Sequence, residues 1–598
     1  MSRSALLSLL ALLGLTLVGG LLRTRGLDHL LPAHVEPDAH IVVQVELMER
    51  GAEAPERDPN YGKYPHLVAW ATRALTTREA WDLGREASQE EHLARAAAPY
   101  LRVRWAVALL SLLVIPATYL LGRVFLTRPA ALLAASAAVT SLLALWFAAQ
   151  ARPHGAAVAF PALAVLGCLA LHRRRDAVGY ALAGAGCALA VASLQSGVAT
   201  LLPLAFTHVL VSRDAWRRGQ RAALPAQLPL LLPLGLLAVA ILGGYPFLFA
   251  GDPAGAGEVD LKGTTVHQAG HLIFLDLFNG RGFATMLWEL WSHDPALFVG
   301  CLLGLGVALV QRLRGSVSPR RATRAELWIV LAYAVPYFVV IGLYQRSYER
   351  FLLPLLPFCA VLSAYGLSAV VTWARAASSS AARPRARVRL TGAFLLVGLW
   401  IGYPALAALH LAEARAAPST YERAAAWVAQ EDTPRTRSVL LTPSTCLPLF
   451  HDTTDLPGRV QMHLRASLWP YYQLRTFGGD SPGPKVELAW MDLRTKADRT
   501  WAQQRPAAYL DSLQAELIVL EVFVGGRNHP LLENLRDALL ARGERLARFS
   551  PDRDPERSDQ PIGYQVETIS ERIHRSWRVL QAESEGPVIE VYRWPSGR

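Results

Sequence analysis

The stretch Pro129 to Asp176, PAALLAASAAVTSLLALWFAAQARPHGAAVAFPALAVLGCLALHRRRD, decides how the chain is read. Two apolar runs, 129 to 149 and 155 to 171, flank the short polar turn Gln150-Ala151-Arg152-Pro153-His154, and three consecutive arginines close the second run. A run of about 20 apolar residues is the length that crosses a hydrocarbon core as a helix. The stretch therefore reads as a helical hairpin through a membrane, with one arginine at its tip and a basic cluster at its base.

The same pattern repeats outward in both directions. About eleven spans are expected on length and apolarity, near 4 to 22, 102 to 122, 129 to 149, 155 to 171, 177 to 194, 197 to 212, 226 to 249, 295 to 311, 325 to 344, 351 to 373 and 390 to 410. A mean hydropathy of +0.24 and a hydrophobic share of 52% over 598 residues support that reading. The first run reads as an uncleaved anchor, with a signal peptide as the alternative, because one arginine precedes it and Gly19-Gly20 closes it.

Alternating spans fix the sides. The loops 172 to 176, 213 to 221, 312 to 324 and 375 to 389 fall on one side and hold 3, 4, 5 and 5 arginines against only Asp176 and Asp214. That bias marks the cytoplasm. It also accounts for the formal net charge of +12, so nucleic acid is not needed as a partner. The expected localisation is the inner (plasma) membrane, with residues 23 to 101, the turn 150 to 154, the loop 250 to 294, the turn 345 to 350 and everything after about 411 exported.

Residues 411 to 598 carry mixed charge and no spanning run, and read as a small exported α/β domain behind a transmembrane domain of residues 1 to 410. Ser419-Thr420-Tyr421-Glu422 has the form of a capping box and opens a helix. Strands are expected at 438 to 441, 516 to 522 and 588 to 592, with a helix near 531 to 541. Four of the five cysteines lie in spans and only Cys446 lies in the tail, which excludes a disulfide framework there.

Three polar clusters fall on the exported side: Glu36-Pro37-Asp38 with Asn60 to His66, then Ala151-Arg152-Pro153-His154, then Arg346 to Pro357 (RSYERFLLPLLP). Displacing a phosphate from an anomeric carbon requires a base for the acceptor hydroxyl and cations for the leaving group. Asp38 can supply the first; Lys63, Arg152 and Arg346 or Arg350 can supply the second, arginine being suited to bidentate contact with phosphate. Glu36, His40, Tyr64, His66 and His154 are candidates for holding substrate. The competing reading is that the arginines snorkel to lipid headgroups and the acids are solvated loop charges.

The order of these clusters resembles the GT-C membrane glycosyltransferases related to protein O-mannosyltransferases and the lipid A aminoarabinose transferase. The resemblance covers roughly residues 1 to 410: one span, a Pro-Asp turn, N-x-x-x-Y-P-x-L at 60 to 67, A-R-P-H after the third span and R-F-L-L-P-L-L-P at 350 to 357. It implies transfer of a sugar from a polyprenyl-phosphate donor, with inversion, to a lipid, glycan or protein acceptor, and Asp38 as the base. Where that family has Asp-Glu, this chain has Asp38-Ala39, which leaves Glu36 or His40 to supply the second polar group. A transporter or flippase of lipid-linked glycans, and a non-catalytic envelope-assembly scaffold, are the alternatives.

No cofactor is expected. His267-Gln268-Ala269-Gly270-His271 raises a divalent metal, because histidines at i and i+4 share a helix face, but it lacks the glutamate of the zinc motif. Asp276, Asn279 and Arg281 in the same loop are expected on the acceptor side, with Trp288 and Trp291 as interface anchors.

Overall fold

The protein is described from a computed structural model covering residues 2–33, 36, 39–50, 65–77, 89–217, 228–244, 265–268, 271–313, 323–380, 383–430, 437–440, 451–452, 486–490, 496–512, 517–522, 529–554, 556 and 574–595. It divides into two compact units, one of Met1–Thr24, Asp38–Thr77 and Arg102–Leu409, the other of Arg25–Pro37, Arg78–Leu101 and His410–Arg598.

Among the described residues of the chain, eight helices are long and apolar enough to cross a membrane. A ninth span is the pair Arg128–Thr140 and Leu142–Ala148, bent by 51°. The shorter apolar helices Ala177–Ser193 and Leu231–Gly244 fall where the other two spans are expected. Together they make this an integral membrane protein built on an all-α bundle.

Local chemistry places the helix ends. Pro129, Pro153 and Pro161 each lie in a first turn, where the missing N–H has no helical partner to lose. At the arginine-rich base of the opening hairpin, Arg175 takes a left-handed conformation (φ 59°), and the Asp176 carboxylate accepts from the Gly179 N–H at 2.8 Å to start the next helix. Arg173 reaches Glu326 at 2.6 Å, and Glu326 closes a capping box with Thr323. Arg175 pairs with Asp214 at 2.7 Å, so the few acids on this side tie its basic loops together.

The second unit contains a six-stranded sheet of β3 (Arg437–Leu440), β4 (His451–Asp452), β5 (Val486–Trp490), β6 (Leu517–Val522), β7 (Glu544–Phe549) and β8 (Val588–Arg593). Its order is β4-β5-β3-β6-β8-β7; the first four strands run parallel, and β8 is antiparallel to both β6 and β7. Helices Lys496–Gln504, Pro506–Ser512 and His529–Arg542 pack on it through Ala502, Leu510, Leu535 and Leu539 against Ile518, Leu520 and Tyr592. The capping box expected at Ser419 is present, with the Glu422 N–H donating to Ser419 Oγ at 3.2 Å and the Ser419 N–H donating to Glu422 Oε2 at 2.6 Å.

Glu590 on β8 is fully buried and meets Arg536 at 2.8 Å, Arg548, and the hydroxyl of Tyr592 at 2.6 Å. Burial alone would raise its pKa, but the hydrogen bonds from Arg536 and Tyr592, with the charge of Arg548, hold the carboxyl below the usual range.

Candidate functional site

The third polar cluster is anchored by the loop before it. β1 (Thr265–Gln268) and β2 (His271–Phe274) form an antiparallel hairpin in which Gln268 pairs with His271. The helix face that would have aligned His267 with His271 therefore does not exist, because the two histidines lie on separate, antiparallel strands. Among the described residues no group of three His, Cys, Asp or Glu side chains gathers as metal ligands.

Past the hairpin, the chain zips onto the turn after helix Arg324–Leu343. Gln345 N–H donates to the Leu277 carbonyl at 2.8 Å, Gly280 N–H to the Leu343 carbonyl at 2.8 Å, and Asn279 Nδ2 to Gln345 Oε1 at 2.6 Å. The rings of Phe278 and Tyr344 lie 5.0 Å apart. Helix Arg281–His293 then approaches so closely that a Cβ on Gly282 would stand 2.3 Å from the Tyr344 carbonyl oxygen. Arg346 is exposed on this platform, its guanidinium 4.5 Å from the Phe274 ring centre.

Arg350 lies half-buried over Tyr348 at 4.3 Å and Phe351 at 5.5 Å. The 3-10 turn Glu349–Leu355 buries Leu352, Leu353, Pro354 and Leu355, and it packs against Leu142–Ala148, Pro153–Ala157 and Arg281–His293. The second and third polar clusters are thus brought side by side.

The Ala151-Arg152-Pro153-His154 turn is the inner wall of this assembly. Arg152 is only 2% exposed, and His154 is buried with its ring 6.1 Å from Phe147. The Arg152 N–H donates to the Gln150 carbonyl at 2.8 Å, and Pro153 starts the helix that follows. Gly155 is required by close approach: a Cβ there would stand 2.2 Å from the Phe147 carbonyl oxygen. The sequence after Arg152 therefore doubles back hard against the helix before it.

Two buried ions at the break between Arg128–Thr140 and Leu142–Ala148 were not singled out by sequence. Asp294 accepts from Ser141 Oγ at 2.7 Å and from the Leu142 N–H at 2.8 Å, at the break in the bent span. Arg23 is fully buried and donates to the Ala138 carbonyl at 2.9 Å and to Ser111 Oγ at 3.1 Å. Sequence gave little signal for either, since Arg23 reads as a flanking charge and Asp294 as the residue before a span.

Of the first cluster, Asp38, Lys63 and Tyr64 lie outside the described residues. His40 opens the helix His40–Arg50, which packs on Leu67–Leu75. His66 precedes that second helix, is buried, and donates its N–H to the Gly244 carbonyl at 3.2 Å. Burial lowers its imidazole to about 4. Helix Leu67–Leu75 packs on Ala177–Ser193, a helix that Pro153–Ala157 also touches. Glu36 is buried within the second unit.

Neither a protein-family model nor a curated protein matches the sequence. Solved structures do. The archaeal oligosaccharyltransferase AglB from Archaeoglobus fulgidus, in complex with an inhibitory peptide and a dolichol-phosphate, is 14% identical over 92% of this chain and 74% of its own, with a TM-score of 0.47. ArnT from Cupriavidus metallidurans bound to undecaprenyl phosphate is 13% identical over 92% of this chain and 97% of its own, with a TM-score of 0.40. Likeness of this degree transfers no residue role.

Proposed function

We propose that the protein is a GT-C-type inverting glycosyltransferase that moves a sugar from a polyprenyl-phosphate donor to a lipid, glycan or protein acceptor on the exported face of the inner membrane. The observation that carries this reading is the packing of the Arg152 turn on Glu349–Leu355, which gathers Arg152, His154 and Arg350 at the arginine-poor ends of the spans. A lipid phosphate sits at that depth, and arginine is the side chain suited to grip it in bidentate fashion. Asp38, in the first loop on that side, is the proposed general base; Lys63, Arg346 and Arg350 are proposed to share the donor phosphate with Arg152, and Glu36, His40, Tyr64, His66 and His154 to hold substrate.

The bent span, with Arg23 and Asp294 buried at its break, favours a transporter, because broken helices and buried charges at mid-membrane mark substrate sites in that class. It weighs less here. Thirteen residues precede the break, about 20 Å of helix, which puts it roughly 5 Å past the midplane of a core roughly 30 Å thick, toward the exported face.

The decisive experiment is transfer by the purified protein from a defined polyprenyl-phosphate sugar. Asp38→Asn should leave donor binding intact and lower transfer by about 10²- to 10⁴-fold, the usual worth of a general base. Glu36→Gln is the control. Equal, small losses in the two variants would remove the base from Asp38. Sidedness has its own test: alkaline phosphatase fused after Leu411 should be active, and fused within 378 to 383 inactive.

A further inference from the structure

A continuous apolar run from 129 to 149 has no need to break, yet this span bends by 51° at Ser141. The break exposes carbonyls at the end of Arg128–Thr140 and amides at the start of Leu142–Ala148, and such groups are costly where no water reaches them. Two charged side chains from elsewhere in the chain occupy them. Arg23, at the end of the first helix, donates to the carbonyl oxygens of Ala138 and Val139 at 2.9 and 3.5 Å. Asp294, just before helix Pro295–Leu313, accepts from Leu142 N–H and Ser141 Oγ. A cation stands at a helix C-terminus and an anion at a helix N-terminus, so each ion complements the dipole of the half it touches.

The consequence runs directly to the second polar cluster. Leu142–Ala148 ends four residues before Arg152, and the Gly155 contact with the Phe147 carbonyl locks the returning chain against that short helix. Wherever the short helix points, Arg152 follows. We propose that Arg23 and Asp294 are positioning residues: they hold the two sides of the break and thereby fix where the Arg152 guanidinium is presented to the donor phosphate. The last clause rests on the proposed function; the clamp itself does not.

The test uses the full chain in lipid nanodiscs and two separate readouts. Amide hydrogen exchange reports the clamp without any ligand. Asp294→Ala should speed exchange at least tenfold across 142 to 155 and leave 160 to 174 unchanged, with Asp294→Asn, which keeps an acceptor for the Leu142 N–H, in between. Arg23→Ala should do the same, and Arg23→Lys should restore part of the protection. Should Asp294→Ala prove too unstable to purify, the Asp294→Asn and Arg23→Lys pair decides the question alone. Unchanged exchange, or a change confined to 142 to 144, overturns the inference, because the ion would then be only a local cap.

Affinity for undecaprenyl phosphate, as the probe, is the second readout. Both clamp variants should weaken it about tenfold, and adding either to Arg152→Ala should weaken it no further. Losses that simply add to that of Arg152→Ala overturn the positioning role. Full affinity in Arg152→Ala alone would instead sink the phosphate reading, and the exchange data would still decide the clamp.

Discussion

Buried charge is handled in two ways in the two units. In the second unit, Glu590 is neutralised by opposite charges, Arg536 and Arg548, with a hydroxyl completing its shell. In the membrane unit, Arg23 and Asp294 are each answered by ends of helices, carbonyls for one and amides for the other. A sheet has small net dipoles and must import a counter-ion, whereas a broken helix supplies partial charges of both signs at the break. The difference teaches that these two buried ions mark a discontinuity in the backbone of the third span.

The contrast predicts unequal penalties. Glu590→Ala leaves the buried Arg548 without its carboxylate and takes a partner from the more exposed Arg536 and Arg545, and should cost about 3–5 kcal/mol, the range for breaking a buried pair from one side. Denaturant unfolding followed by the fluorescence of Trp594, with the other tryptophans as background, measures it. Asp294→Ala leaves a hydroxyl and one N–H to satisfy, which should cost only about 1–3 kcal/mol. Thermal unfolding in nanodiscs checks this, and an equal or larger loss at Asp294 would break the comparison.

Acid should act next. His66 has its folded pKa near 4, below the roughly 6.5 of an exposed imidazole, so the unfolded chain binds more protons between these values. Its contribution is complete above pH 6.5 and declines as pH falls toward 4. His66→Gln should flatten the fall in Tm over that window; an unaltered slope would assign the acid sensitivity elsewhere.

Smallest of all should be Arg173→Ala, which removes the ion pair with Glu326 at the arginine-rich end. Arg173 is half exposed, so a loss of at most about 1 kcal/mol is expected from thermal unfolding. A larger loss would mean that this end, too, depends on specific partners and not on summed charge.

The spans were legible because hydropathy and length suffice to find them, and the tail strands at 437, 517 and 588 because each is a short apolar run between turn signals. β7, with the sequence ERLARF, was not, since an edge strand with three charges in six residues carries little apolar signal. The break at Ser141 was invisible for the opposite reason: Leu142 to Ala148 is as apolar as the helix before it, and the cause of the break lies at Asp294, 153 residues away. The two histidines at 267 and 271 suggested a helix by spacing, but their neighbours pair as strands. Arg152 and His154 drew notice because a charge at the tip of an apolar hairpin stands out, and the structure buries both where Pro153–Ala157 packs on Glu349–Leu355.

Arg23 also constrains how the chain is made. Its carbonyl partners at 138 and 139 are separated from it by 115 and 116 residues, so they do not yet exist when the first helix leaves the ribosome. Until the third span has been synthesised and inserted, only the Gly19 carbonyl and Ser111 are there to receive this guanidinium. The first helix can therefore settle into its final depth only after the opening hairpin is complete, which makes the third span the step that commits the nascent bundle to its assembled form.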